Sequence, residues 1–132
     1  MKTLEKLREE YNNLNKKRNA IYRKIVELER QEVTNIFTVG ECYLDTYCKS
    51  FKKVIALDGN VLYCMVVNNE SILRDIYYLY DTKYWKKITS EQFKDIYLAV
   101  LKDIQNSDLD DNKESNWLIV YKSIMNSINK EE

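Results

Sequence analysis

Catalysis needs particular side chains, and the most versatile of them is missing from these 132 residues: the chain has no histidine. That closes Ser-His-Asp hydrolysis, Cys-His nucleophiles and His-ligated zinc or haem, each of which needs an imidazole. Gly40 and Gly59 are the only glycines and stand nineteen residues apart, so neither a GxGxxG fingerprint nor a phosphate-cradling loop can be written. Glu41 with Asp45, or Asp108, Asp110 and Asp111, have the type needed for acid–base work or for magnesium. The Asp108-to-Asp111 run lacks the glycine and the terminal glutamate of a calcium loop, however, and reads as a polar connection. Cys42, Cys48 and Cys64 are an odd number in strand-like segments, which suits a reducing compartment and small buried apolar groups. The five residues between Cys42 and Cys48 are too wide a gap for a zinc pair. The expectation is a non-enzymatic protein with no cofactor and no metal.

What remains is recognition. Lys16, Lys17, Arg18, Arg23 and Lys24 give five positive charges between Tyr11 and Val26 with no acidic residue among them. With Lys49, Lys52, Lys53 and Lys86-Lys87 near tyrosine-rich strands, they can be read as a phosphate-tracking surface for nucleic acid. Against that, 21 basic residues balance 21 acidic ones, whereas a dedicated nucleic-acid domain is clearly basic. Tyr77, Tyr78, Tyr80, Tyr84 and Trp85, followed by Lys86 and Lys87, form a second cluster. Each tyrosine hydroxyl needs a partner when buried, so part of the cluster is expected at the surface, where large aromatics anchor protein interfaces. The alternative is that it packs under the C-terminal helices with its hydroxyls at the rim.

The elements that position these groups follow from periodicity. Leu4, Leu7, Tyr11, Leu14, Arg18, Ile21, Ile25 and Leu28 alternate steps of three and four, filling successive a and d positions of a heptad pattern with Arg18 as the one polar member. The spacing predicts a helix over residues 3–33. Its start is expected to be frayed, because no acidic residue completes a capping box with Thr3, and a break is expected at Val33-Thr34-Asn35. From residue 36 the texture is that of strands. Asp58-Gly59-Asn60 between two apolar runs predicts an antiparallel hairpin of Phe51–Leu57 with Val61–Val67, and Gly40 marks a bend. Residues 71–82 fit helix or strand, and strands are favoured after Ile76. Thr89 with Gln92 makes a capping box, with Ile88 and Phe93 as its hydrophobic staple, for a helix over about 90–106; a second helix is expected over about 115–129 after a solvated linker.

The fold class that results is α+β, with a long coiled-coil-like N-terminal helix, a small antiparallel sheet over about 36–88, and two C-terminal helices. Two units are expected, a helical assembly segment at 1–34 and an α+β domain at 35–132. Because the first helix overhangs so small a globule, its apolar stripe needs another surface, which the same helix of a second copy, the chain's own C-terminal helices or a foreign partner could supply, and a homo-oligomer, with a dimer favoured, or a protein partner is expected. No apolar run reaches ten residues, so no membrane segment is expected and the location is taken as cytoplasmic. Lys, Asn, Ile and Tyr supply 52 residues, and their A/T-rich codons point to a source genome low in G and C. In this texture the chain is similar to phage and mobile-element accessory proteins, a resemblance that implies binding, and inhibition, of a larger host macromolecule.

Overall fold

Free of glycine and proline, Leu4–Ile36 form one unbroken α-helix, α1, in the computed structural model, which describes residues 3–106 and 114–131. At about 1.5 Å per residue the rod is about 50 Å long. Both of its ends depart from the sequence expectation. Thr3 does cap the helix, its hydroxyl accepting from the Lys6 N–H at 3.3 Å, so a capping box is not needed to start it. At the other end Thr34 and Asn35 continue the helix to Ile36. The Thr34 hydroxyl donates back to the Arg30 and Gln31 carbonyls at 3.1 and 3.0 Å, which places this β-branched residue inside the last turn without an unpaired group.

Five strands follow: β1 (Cys42–Asp45), β2 (Ser50–Asp58), β3 (Val61–Val67), β4 (Ile72–Tyr78) and β5 (Trp85–Ile88). They form one antiparallel sheet in the order β4-β3-β2-β1-β5. The β2–β3 hairpin is the one the sequence predicts, with Asp58 paired to Val61 and Gly59 at φ +62° in the first central position of a two-residue loop, where a type II′ turn wants glycine. Gly40, at φ +94°, bends the chain into β1, its N–H donating to the Val54 carbonyl at 2.8 Å. β4 starts at Ile72, earlier than expected, because it pairs with β3 along its whole length, from Ile72↔Val67 to Tyr78↔Val61. That ladder outweighs the helical spacing of Ile72, Leu73 and Ile76.

A short 3-10 turn, Leu79–Thr82, leads to β5, and then α2 (Ser90–Gln105) and α3 (Asn116–Glu131) complete the chain. The Thr89–Gln92 capping box is closed in both directions, at 3.0 and 2.8 Å. α3 is tied to α2 by the Asp103 carboxylate, which accepts from the Asn116 and Trp117 N–H groups at 2.9 Å each. The expected solvated linker, with Asp108, Asp110 and Asp111, lies for the most part outside the described residues. The architecture is thus the α+β fold that the sequence predicts.

The sheet has a core on each face. Cys42, Leu44, Phe51, Val67 and Ile88 pack under Phe93, Ile96 and Val100 of α2 and Trp117 and Ile124 of α3. On the other face Tyr43, Val54, Leu62, Cys64 and Val66 receive Val33 and Phe37 from the end of α1. Tyr77 and Trp85 come from opposite edges of the sheet, yet their rings lie 5.3 Å apart. Four interstrand spacings of about 4.8 Å would separate those edges in a flat sheet, so the sheet curls around this second core.

Candidate functional site

The stripe on α1 is where the structure leaves most apolar surface open. Leu4, Leu7, Tyr11, Leu14, Ile21, Ile25 and Leu28 are each 47–66% exposed, and Arg18 between them is exposed as well. The body holds α1 by another face and near one end. Val33 is buried, Val26 and Glu29 are half-buried, and the Asn60 amide donates to the Glu29 carboxylate at 3.0 Å. At about 100° per residue these three positions lie beside the stripe rather than on it, so docking to the body leaves the seam uncovered even at Ile25 and Leu28.

The basic residues do not make one face. Lys16, Lys17, Arg18, Arg23 and Lys24 are all exposed, but Lys16 and Arg23 share one row of the helix, Lys17 and Lys24 a second, and Arg18 sits on the apolar seam. The strand lysines scatter too. Lys53 lies on the α2 side with Met65, Phe93 and Tyr97, and Lys87 reaches Glu41 at 3.5 Å. Lys52, read from the sequence as part of a phosphate-tracking surface, is only 2% exposed and faces the second core, because it shares the strand face of Val54. It has no access to a nucleic-acid backbone.

Lys52 is instead the centre of a polar island that sequence reasoning missed. Its ammonium donates to the Asp45 carboxylate at 3.1 Å and to the Ser50 hydroxyl, and lies over the rings of Tyr77 at 5.1 Å and Trp85 at 5.6 Å. A buried cation needs such an enclosure of carboxylate and π-faces. Burial by itself would raise the Asp45 pKa, but the Lys52 bond and the Cys48 and Tyr47 N–H groups outweigh it and hold the carboxyl below its ordinary 3.8. Nothing in the local sequence announces the pair: the β1–β2 register sets Asp45 opposite Ser50 and Tyr43 opposite Lys52. Glu41, the other half of the carboxylate pair considered from sequence, serves elsewhere. It accepts from the Tyr43 hydroxyl at 2.5 Å, a bond that lowers its pKa and helps burial to raise that of Tyr43.

The tyrosine cluster is divided by the alternation of faces along β4 and by the curl of the sheet. Tyr77 and Trp85 turn inward to Lys52 and Phe37. Tyr78 and Tyr80 stack on each other at 5.9 Å, and Tyr84 stacks at 5.6 Å on Tyr47, an exposed residue of the β1–β2 turn that the sequence did not single out. The Tyr47–Tyr84 pair is fixed by Thr46, whose N–H and hydroxyl both donate to the Tyr84 carbonyl, at 3.1 and 3.0 Å. Lys86 and Lys87 follow on β5, pairing with Leu44 and Tyr43 across the ladder.

Among the described residues no group of three or more His, Cys, Asp or Glu could hold a metal ion, and no helix is long and apolar enough to cross a membrane. Cys42 and Cys64 are buried on opposite faces of the sheet, while Cys48 is exposed in the β1–β2 turn rather than in a strand. A groove of about 510 Å³ runs between Glu41, Lys87, Thr89, Gln92 and Ser127, but its ionic groups are paired to each other. Compared with known proteins, the chain matches no family model, no curated protein and no solved structure.

Proposed function

We propose that this chain is a non-enzymatic interaction module that assembles with a second copy of itself through the apolar stripe of α1, and that its body, with the Tyr47–Tyr84 and Tyr78–Tyr80 pairs, meets a larger macromolecule. The observation that carries the reading is the stripe itself: seven large apolar side chains at heptad spacing, all open to solvent, on a helix whose own body grips it by a different face. Such a seam is self-complementary, since knobs from one a/d stripe fill holes in another. Each Leu or Ile withdrawn from water contributes about 1.5–3 kcal/mol when fully buried, whereas an exposed like-charge pair among the flanking lysines costs only a few tenths of a kcal/mol. Burial dominates, so the assembly holds at high salt, where exposed charges are screened.

Sedimentation of the full chain across protein concentration, at low and high salt, tests this. A dimer that persists at high salt is expected, and Ile21→Asp with Ile25→Asp should return it to monomer with the β-sheet circular dichroism and tryptophan fluorescence of the body unchanged. A monomer at every concentration sinks the proposal. So does an oligonucleotide complex that dissolves steeply with salt and involves the same helix, because phosphate binding, unlike burial of an apolar seam, is lost steeply as salt rises.

A further inference from the structure

We infer that the two copies pair their α1 helices antiparallel, with Leu14 of each packed on Arg18 of the other, so that the two bodies stand at opposite ends of a shared rod. The inference rests on the proposed self-assembly and adds its direction and register.

Arg18, the one charge on the seam, decides the direction. Counting Leu4 as an a position, the seam runs a-d-a-d through Leu28, Glu10, Lys17 and Lys24 occupy g positions, and Arg8, Asn15, Tyr22 and Glu29 occupy e positions. In a parallel pair, a faces a, so Arg18 would meet Arg18 of the second copy in the middle of the seam. Its flanking g-to-e contacts would be Glu10 with Asn15, Lys17 with Tyr22, and Lys24 with Glu29. The last is the one attractive contact, formed twice by symmetry, and its carboxylate is half-buried beside the body.

An antiparallel pair changes each of these. Here a faces d, and one register covers the whole stripe: Leu4 on Leu28, Leu7 on Ile25, Tyr11 on Ile21 and Leu14 on Arg18, each occurring twice by symmetry. The two Arg18 residues are thereby parted, and each guanidinium leaves the seam over one leucine with its aliphatic stem as packing surface. In the same register the g positions meet g positions, which brings Glu10 beside Lys24 of the second copy, twice, and the e positions meet e positions, which brings Asn15 beside Asn15. Lys17 faces Lys17 as the single flanking like-charge contact. Ile25 and Leu28 are open beside the body, so Leu7 and Leu4 of the second copy can reach them.

Cysteine cross-linking and charge reversal test this in the full chain carrying Cys48→Ser, which removes the exposed native thiol. Under mild oxidation, Leu7→Cys alone and Ile25→Cys alone should give no disulfide-linked dimer, and an equimolar mixture of the two should give one. Glu10→Lys and Lys24→Glu should each weaken the dimer about tenfold, since two pairs turn from attractive to repulsive, and the double variant should return to within about threefold of the parent. Dimers in which each single cysteine variant links to itself, or in which the double charge variant is no better than either single one, overturn the antiparallel pairing while leaving self-assembly standing. A dimer with no cross-link in any arm overturns the register. A monomeric parent chain overturns both.

Discussion

Lys52 is the residue on which the second core turns. A strand lysine beside another lysine reads from sequence as solvent-facing, yet here it is enclosed by Asp45, Ser50, Tyr77 and Trp85, residues brought together from four strands, β1, β2, β4 and β5. Lys52→Met leaves the Asp45 carboxylate buried without its cation and is expected to cost about 3–5 kcal/mol in urea unfolding. Adding Asp45→Asn should recover part of that loss, because the two substitutions remove one interaction; a loss under about 1 kcal/mol for Lys52→Met would mean the island is solvated. The pH dependence follows from the same pair. The Asp45 pKa is lowered in the folded state, so its contribution to stability is present above the ordinary carboxylate range and is lost as pH falls through the folded value. The urea midpoint should therefore drop on acidification below about pH 4, and Asp45→Asn should flatten that drop. The thiols divide in a similar way. Burial pushes Cys64 up to about 12 and raises Cys42, and partial burial beside Asp45 raises Cys48 as well, but Cys48 alone of the three stands exposed, in its turn. A thiol reagent at pH 8 should modify Cys48 in the native protein and reach the other two cysteines only on unfolding, as mass spectrometry of the adducts would count.

At the scale of elements, what could be read from the sequence is what is written locally. The α1 stripe is a repeat of seven, the Thr89–Gln92 box spans three residues, and the Asp58-Gly59-Asn60 turn is contiguous, so each declares itself within its own window. The features that were misplaced depend on partners distant in the chain. β4 is a strand from Ile72 because β3 lies beside it, Lys52 is buried because β1 supplies Asp45, and Tyr77 meets Trp85 because the sheet curls its two edges together. Of the candidate site, the α1 seam was legible to the residue, whereas the tyrosine cluster was legible only as composition. The local devices also carry measurable weight. Thr89→Ala removes the acceptor for the Gln92 N–H at the start of α2 and is expected to cost about 1 kcal/mol of stability, visible as a lower urea midpoint with an unchanged slope. No change in midpoint would show that the Ile88–Phe93 packing alone sets the start of the helix.

For the whole molecule, the consequence is a division of stability between rod and body. From Leu4 to about Ile25, α1 presents its side chains to solvent, and the body grips it from Val26 onward through Glu29, Val33 and Phe37. Most helical stability in proteins comes from packing of an apolar face rather than from propensity, so in the proposed assembly the outer five or six turns should owe their order to the second copy, while Phe37, Tyr43 and Trp85 hold the last turn with the core. Two probes should then part company. Helical ellipticity should melt in two stages, the first moving to higher temperature as protein concentration rises, because dimer formation is coupled to it. The fluorescence of Trp85 and Trp117, both in the body, should change in the second stage alone, and that stage should be insensitive to concentration and survive Ile21→Asp with Ile25→Asp. A single transition shared by both probes and independent of concentration would mean that rod and body melt as one cooperative unit, with the seam covered by the chain's own fold.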